Sequence, residues 1–175
     1  MRTRTTERGT TLLEAMVATA VLLVGAMGAI SAHKFGLQTN SDARKLARAS
    51  AIAQDLVDQI SLWPWNDPRL ANATTSNDAD LGDTSFAFEG DPPPADHGEA
   101  DLVAGGTTFA GLTQAEIQDD TRFERYWNVA LVDDADGDGV PDLVRIAVVV
   151  RWPTSPGRYR RIVALSAKFN PAELR

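Results

Sequence analysis

The sequence contains no cysteine and only two histidines, His33 and His97. Without cysteine the chain has no disulfide, no thiolate nucleophile and no zinc site built on thiolates. Two histidines leave little material for a catalytic triad or a histidine-rich metal centre. Phosphate-binding, nucleophile-elbow and zinc-protease motifs are absent as well, so the residues give no basis for an enzyme.

Overall composition is that of a folded protein, but the charge is unevenly distributed. Of the 175 residues, 43% are hydrophobic and 23% are charged, which is typical of one domain of ordinary size. The net charge of -7 argues against general nucleic-acid binding. Residues 1–65 carry +2, residues 66–142 carry -15 and residues 143–175 carry +6. The chain therefore has a mixed start, an acidic middle and a basic end.

A short basic segment precedes the one long apolar run. Residues 1–9 contain three arginines, and no residue from Ala15 to Ala32 is charged. A run of this length lies at the lower limit for a helix that crosses a hydrocarbon core of about 30 Å. A cleaved export signal and a simple membrane anchor are two interpretations of this pattern. The positive-inside rule places the arginines in the cytoplasm and everything after His33 outside.

Glu14 is the residue that neither interpretation explains, because a carboxylate near the start of an apolar span is costly in lipid without a partner. The stretch Gly9-Thr10-Thr11-Leu12-Leu13-Glu14, with a basic leader before it and an apolar helix after it, resembles the processing motif of type IV prepilins. The resemblance implies that a prepilin peptidase cuts between Gly9 and Thr10 and that Thr10 is then N-methylated. Glu14 would be the fifth residue of the mature chain. Thr10 departs from the phenylalanine that is usual in the family, which affects methylation more than cleavage.

The same resemblance gives Glu14 a role in assembly register. In a bundle of such helices, the carboxylate of an incoming subunit would pair with the free N-terminal amine of its neighbour and so satisfy two charges. Gly25 and Ala29 form a small-xxx-small pair, and Gly28 lies beside it, which permits close helix approach. Ordinary glycine content of membrane helices explains these small residues equally well.

Helical periodicity continues beyond the apolar run. Apolar residues recur at three- and four-residue steps from Leu46 to Ile60, and Pro64 disfavours helix at Trp63. The pattern predicts one helix from about residue 10 to about residue 62. Its first half would lie in the membrane and its second half would pack on a globular domain. The stretch from Ala51 to Ile60 also resembles the corresponding segment of PilV-like minor pilins.

Three runs of alternating residues predict an antiparallel meander near the end of the chain. On each strand the expected apolar face holds the following residues: Trp127, Val129 and Leu131; Ile146, Val148, Val150 and Trp152; Val163, Leu165, Ala167 and Phe169. The helix from about residue 34 to 62 is the expected cover. The predicted fold class is α+β, a long N-terminal helix packed on a C-terminal antiparallel sheet, as in type IV pilins. Residues 64–122 predict a long acidic loop region with short strands at 86–88 and 107–109 and one helical turn at 114–119.

The link between the first two strands of the meander is rich in aspartate. Counted from Asp134, the carboxylates of Asp134, Asp136, Asp138 and Asp142 fall at positions 1, 3, 5 and 9 of an EF-hand-like loop, with Gly139 at position 6. Position 12 is an arginine and not the usual bidentate glutamate. Calcium bound by these four aspartates is one interpretation, and a solvated hairpin loop is the other. No cofactor is required.

The predicted organisation is a prepilin leader at residues 1–9, a transmembrane assembly helix at 10–33 and a periplasmic or extracellular pilin domain at 34–175. The predicted function is that of a structural minor pilin in the pilus-initiating or tip complex, made in the inner membrane and then part of an extracellular pilus. The resemblance implies partners among other minor pilins, the major pilin, the prepilin peptidase and a tip adhesin. A type II secretion pseudopilin and a membrane-anchored calcium-binding surface protein are the alternatives. Tip or shaft position, and a role in motility, adhesion or DNA uptake, stay open at this point.

Overall fold

The computed structural model describes residues 8–75, 78–79, 81, 95–104, 112–117, 121–133 and 140–172. The chain divides into two compact units, Met1–Arg44 and Lys45–Arg175. Helix α1 (Arg8–Leu62) contributes residues to both units. The predicted helix is therefore confirmed, and its ends lie within two residues of those expected from the sequence.

The end of α1 follows from the proline and from a lysine on a distant strand. Trp63 lies outside the helix, since Pro64 disfavours helical geometry at the residue before it. The amide of Trp63 still donates to the carbonyl of Ile60 at 3.2 Å. Lys168 donates from Nζ to the carbonyls of Ser61 at 2.9 Å and of Trp63. Carbonyls at a helix C-terminus lack partners within the helix, and a cationic donor is suited to that position.

The second unit is built on a four-stranded antiparallel sheet. Its strands are β1 (His97–Gly98), β2 (Glu124–Val132), β3 (Leu143–Ser155) and β4 (Arg158–Phe169), and they neighbour one another in that order. Gly157, with φ of 72°, occupies the turn between β3 and β4, where positive φ favours glycine. The three predicted strands are confirmed, and β1 is a fourth that the sequence did not indicate.

The core lies between the second half of α1 and one face of this sheet. Ile52, Leu56 and Ile60 of the helix are at most 1% exposed, as are Trp127 of β2 and Val148 of β3. These residues belong to one continuous apolar cluster. At about 25 cal/mol per Å² of buried apolar surface, each such side chain contributes about 1.5–3 kcal/mol. The α+β arrangement of a long N-terminal helix packed on an antiparallel sheet is confirmed.

The predicted apolar face of β4 is wrong. In the register of the sheet, Val148 lies opposite Ala164 and Val150 lies opposite Ile162. Residues opposite each other share a face, so Ile162 and Ala164 pack against the core. The residues expected there are exposed instead on the outer face: Val163, Leu165, Ala167 and Phe169. Leu131 of β2 is also 45% exposed rather than buried.

The described parts of the acidic middle contain several short regular elements. Besides β1 they hold a 3₁₀ turn at Pro68–Leu70, helix α2 (Glu99–Ala104) and helix α3 (Gln114–Ile117). Helix α3 confirms the predicted helical turn as far as Ile117. The predicted short strands at 86–88 and 107–109 lie outside the described residues.

Buried polar contacts fix these short elements to the sheet. The Arg125 side chain, 1% exposed, donates to both carboxylate oxygens of Glu99, from Nε at 2.8 Å and from Nη2 at 2.5 Å. Asp96 accepts from the amide of Val129 at 2.7 Å and from the amide of Thr74 at 2.8 Å. A buried ion is tolerated only when such partners satisfy it. These contacts explain why β1 and α2 form in a segment with turn-like composition.

Candidate functional site

The first unit presents an apolar helix surface that the protein itself does not cover. Large apolar residues are more than half exposed all along it, including Leu22 at 69%, Val24 at 72% and Phe35 at 72%. The helix is long and apolar enough to cross a membrane, and none of its most apolar 18-residue window is buried. A helix that is apolar on all sides needs lipid or other helices around it. The structure therefore shows a long apolar N-terminal helix that could serve as a membrane anchor.

Glu14 lies exposed on this helix, two residues after Leu12. Among the described residues, none forms an ion pair or a hydrogen bond with its carboxylate. Gly9 and Thr10 both belong to α1, which begins one residue earlier at Arg8. The three residues of the predicted processing site are thus brought onto the first two turns of one helix, and Glu14 is the one that carries a charge.

Two threonine hydroxyls of α1 are hydrogen-bonded within the helix. Thr19 donates from Oγ1 to the carbonyl of Ala15 at 2.7 Å, and Thr39 donates in the same way to Phe35 at 3.0 Å. Such internal bonds are required of polar groups that face lipid. Added Cβ atoms on Gly25 and Gly28 would meet nothing within 4 Å. The packing of this chain therefore does not require glycine at either position.

The two ends of the aspartate-rich link are held close to the sheet. The amide of Asp142 donates to the carbonyl of Val132 at 3.0 Å, and its carbonyl accepts from the amide of Asn170 at 2.7 Å. Asn170, 3% exposed, also donates from Nδ2 to the carbonyl of Pro141 at 3.1 Å. The link joins β2 to β3, as the sequence predicted.

Of the four predicted calcium ligands, only Asp142 lies in the described part of the chain. Asp134, Asp136 and Asp138 lie outside it. Within the described residues, no group of three or more histidine, aspartate or glutamate side chains is arranged to hold a metal ion. The calcium site stays a prediction from the sequence.

Acidic side chains of the described middle region serve mainly to hold backbone amides. Asp67 accepts from the amide of Arg69 at 2.9 Å and also from its guanidinium, and this hydrogen-bonded arginine lowers the pKa of Asp67. At α3, Glu116 accepts from the amide of Thr113 at 2.8 Å, which lowers the pKa of Glu116, and the Thr113 hydroxyl accepts in return from the Glu116 amide at 3.3 Å. This reciprocal pair is a capping box.

The four tryptophans pack in or against the main apolar cluster. Trp63, Trp127 and Trp152 are at most 8% exposed, and Trp65 packs against the same cluster. Indole Nε1 of Trp127 donates to the carbonyl of Arg69 at 2.8 Å, and His97 stacks on the Trp127 ring with centroids 5.3 Å apart. The second histidine therefore has a packing partner that no sequence pattern indicated.

Comparison of the chain with protein-family models, with curated proteins and with solved structures gave no match.

Proposed function

We propose that the chain is a structural minor pilin, which is processed after Gly9, held in the inner membrane by the first half of α1 and then assembled into a type IV pilus. The observation that carries the proposal is an apolar helix that the chain leaves uncovered, with Glu14 exposed and unpaired among the described residues near its start. The same helix continues into a half that packs one face against the sheet.

Physical chemistry favours assembly over a solitary anchor. A lone anchor gains nothing from a carboxylate five residues beyond a cleavage point, and lipid penalises that charge. In a bundle, the amine of Thr10 after cleavage supplies a partner for Glu14 of a neighbouring subunit. Gly25 and Gly28 leave room for that neighbour's helix. Partners would then be other minor pilins, the major pilin and a tip adhesin, and the role is architectural rather than catalytic.

Leader cleavage tests this proposal most directly. The full chain is expressed in cells with an active prepilin peptidase and recovered from membranes. Its intact mass is then measured by mass spectrometry. We expect loss of residues 1–9, with a further methyl group if Thr10 is modified. Gly9→Val should abolish the cut, whereas Gly25→Val, a matched change within the same helix, should leave it intact. An uncut chain beside an active peptidase would contradict the proposal and favour a simple membrane-anchored protein.

Incorporation tests the role of Glu14 separately from processing. Glu14→Gln keeps the size of the side chain and removes the charge, so membrane retention should not fall. We expect the variant to be cut normally but depleted from sheared pili or from a minor-pilin complex. Glu7→Gln, which alters the leader only, is the control. Full incorporation of Glu14→Gln would show that this carboxylate sets no register.

A further inference from the structure

The outermost strand of the sheet, β4, has features of a docking edge. It is 12 residues long, and in the described part of the chain no strand pairs with its far side. Every second residue of an edge strand directs its amide and carbonyl away from the only neighbour, which makes the edge a template for another strand. Proteins usually protect such edges with proline, bulges or inward charges.

Those protections are missing from the middle of β4. The strand contains no proline, and the one register irregularity of this hairpin lies in β3, between Pro153 and Ser155. Residues from Ile162 to Ala167 carry no charge. The only charge that follows them in the strand, Lys168, is turned to the carbonyls at the end of α1. The central part of the edge is therefore open to pairing.

Side chains beside the edge are apolar and exposed on the outer face. Leu165 is 73% exposed and Phe169 is 61% exposed. Next to them, an open groove of about 530 Å³ is lined by Leu143, Leu165 and Ala167, with the Arg145 side chain among them. Alternating apolar contacts of this kind give an added strand its specificity, while the backbone gives affinity.

The charge around β4 indicates what kind of strand fits. The strand contains four basic residues and no acidic residue. Arg145, whose Cα lies opposite that of Ala167, donates from its guanidinium to the carbonyl of Asp78 at 2.7 Å, which is a neutral acceptor, and no described carboxylate forms an ion pair with it. A second copy of β4 would bring like charges together, whereas an acidic strand would be attracted.

We propose that the open edge of β4, with Leu165, Phe169 and Arg145 beside it, binds an extended strand of a partner protein in which apolar residues alternate with acidic ones. The proposal uses residues of the second unit alone. It therefore does not depend on leader cleavage or on the pilin assignment, and either can fail without the other.

Synthetic peptides test the edge on the full chain in lipid nanodiscs. The first peptide alternates valine with glutamate, the second alternates valine with lysine, and the third repeats the first with methylated amides along one edge. We expect binding of the first peptide only, measured by fluorescence anisotropy. Equal binding of the two charge types, unimpaired binding of the methylated peptide, or no binding of the first peptide at millimolar concentration would each overturn the proposal.

Variants locate the binding on the chain. Leu165→Thr keeps a strand-forming residue but removes a large apolar contact, so affinity for the glutamate peptide should fall about tenfold. Leu62→Thr is the matched control, because Leu62 is 74% exposed at the end of α1, and it should bind as the wild type does. Arg145→Gln should also lower the affinity for the glutamate peptide. If the chain instead self-associates through this edge and Leu165→Thr dissociates it without any peptide binding, the edge joins two copies and the acidic partner is refuted.

Discussion

The contact between Lys168 and the end of α1 should be a main stabilising link of the second unit. Its ammonium group donates to the carbonyls of Ile60 at 3.5 Å, of Ser61 at 2.9 Å and of Trp63. The two partners are more than 100 residues apart in the chain, so the contact joins β4 to the helix that covers the sheet. Replacing lysine by methionine keeps an unbranched side chain that is one atom shorter and removes the charged donor.

The expected loss follows from the number and kind of these hydrogen bonds. Bonds to a charged donor contribute about 1.5–3 kcal/mol, and a cation near a helix C-terminus adds about 0.3–1 kcal/mol. Burial opposes the gain, because desolvation lowers the pKa of Lys168 below its usual value. A net loss of about 2 kcal/mol in the free energy of unfolding is expected for Lys168→Met. For a unit of this size that corresponds to a fall in Tm of about 7 °C.

Thermal unfolding of the full chain in nanodiscs, followed by near-ultraviolet circular dichroism of the buried tryptophans, measures this loss. Arg158→Met is the matched control on the same strand, because its side chain is exposed. It should change the free energy of unfolding by less than about 0.5 kcal/mol. The expected fall in Tm is much larger than the error of such a scan, which is about 1 °C. A Lys168→Met variant whose Tm lies within about 1 °C of the wild-type Tm would therefore refute the assigned role. So would an equal fall in both variants.

Three further perturbations should have defined outcomes. Glu99→Gln should lower the free energy of unfolding by about 3 kcal/mol in chemical denaturation, since it removes a carboxylate that pairs with the buried Arg125 guanidinium; an unchanged midpoint would mean that water replaces the carboxylate. Asp67→Asn should destabilise at pH 7, but the difference from the wild type should shrink as the pH falls below 3.8, because a carboxyl whose pKa is lowered by folding stabilises only when ionised; a pH-independent difference would contradict this. Saturating calcium should raise the Tm, and Asp136→Ala or Asp138→Ala should abolish that rise; an unchanged wild-type Tm at millimolar calcium would leave only a solvated loop.

Sequence periodicity predicted the helix and the central strands because their largest apolar residues recur on one face. Trp127, Ile146 and Val148 belong to the main apolar cluster, whereas the other face of β2 and β3 buries smaller side chains such as Ala130 and Ala147. In β4 both faces are apolar, with Ile162 and Ala164 on one side and Val163 and Leu165 on the other. Only the pairing with β3 decides between them, and that register is a tertiary property.

Order in the acidic region could not be read from composition, since it comes from distant partners. Strand β1 and helix α2 depend on Arg125 and Asp96, whose hydrogen-bond partners lie about 20 to 35 residues away in the chain. Glycine, proline and aspartate there are typical of turns, and local pattern gives no sign of the guanidinium that will fix them. Conversely, the proposed processing site is a local sequence pattern, so Gly9, Thr10 and Glu14 were named from the sequence alone and stay a prediction. Three of the four proposed calcium ligands lie outside the described residues and stay a prediction.

The two units differ in how much of their apolar surface is buried and in whether their charges are paired, and this difference bears on function. In the second unit, long-range hydrogen bonds tie the loops to α1 without any disulfide: Arg48 to the Glu116 carbonyl at 2.6 Å, and the Leu112 amide to Asp55 at 2.9 Å. That unit buries a continuous apolar cluster and pairs its buried charges. The first unit does neither, because its large apolar side chains stay exposed and Glu14 has no partner among the described residues. An apolar surround for these side chains and a partner for Glu14 are what the proposed bundle of processed helices in a membrane would supply.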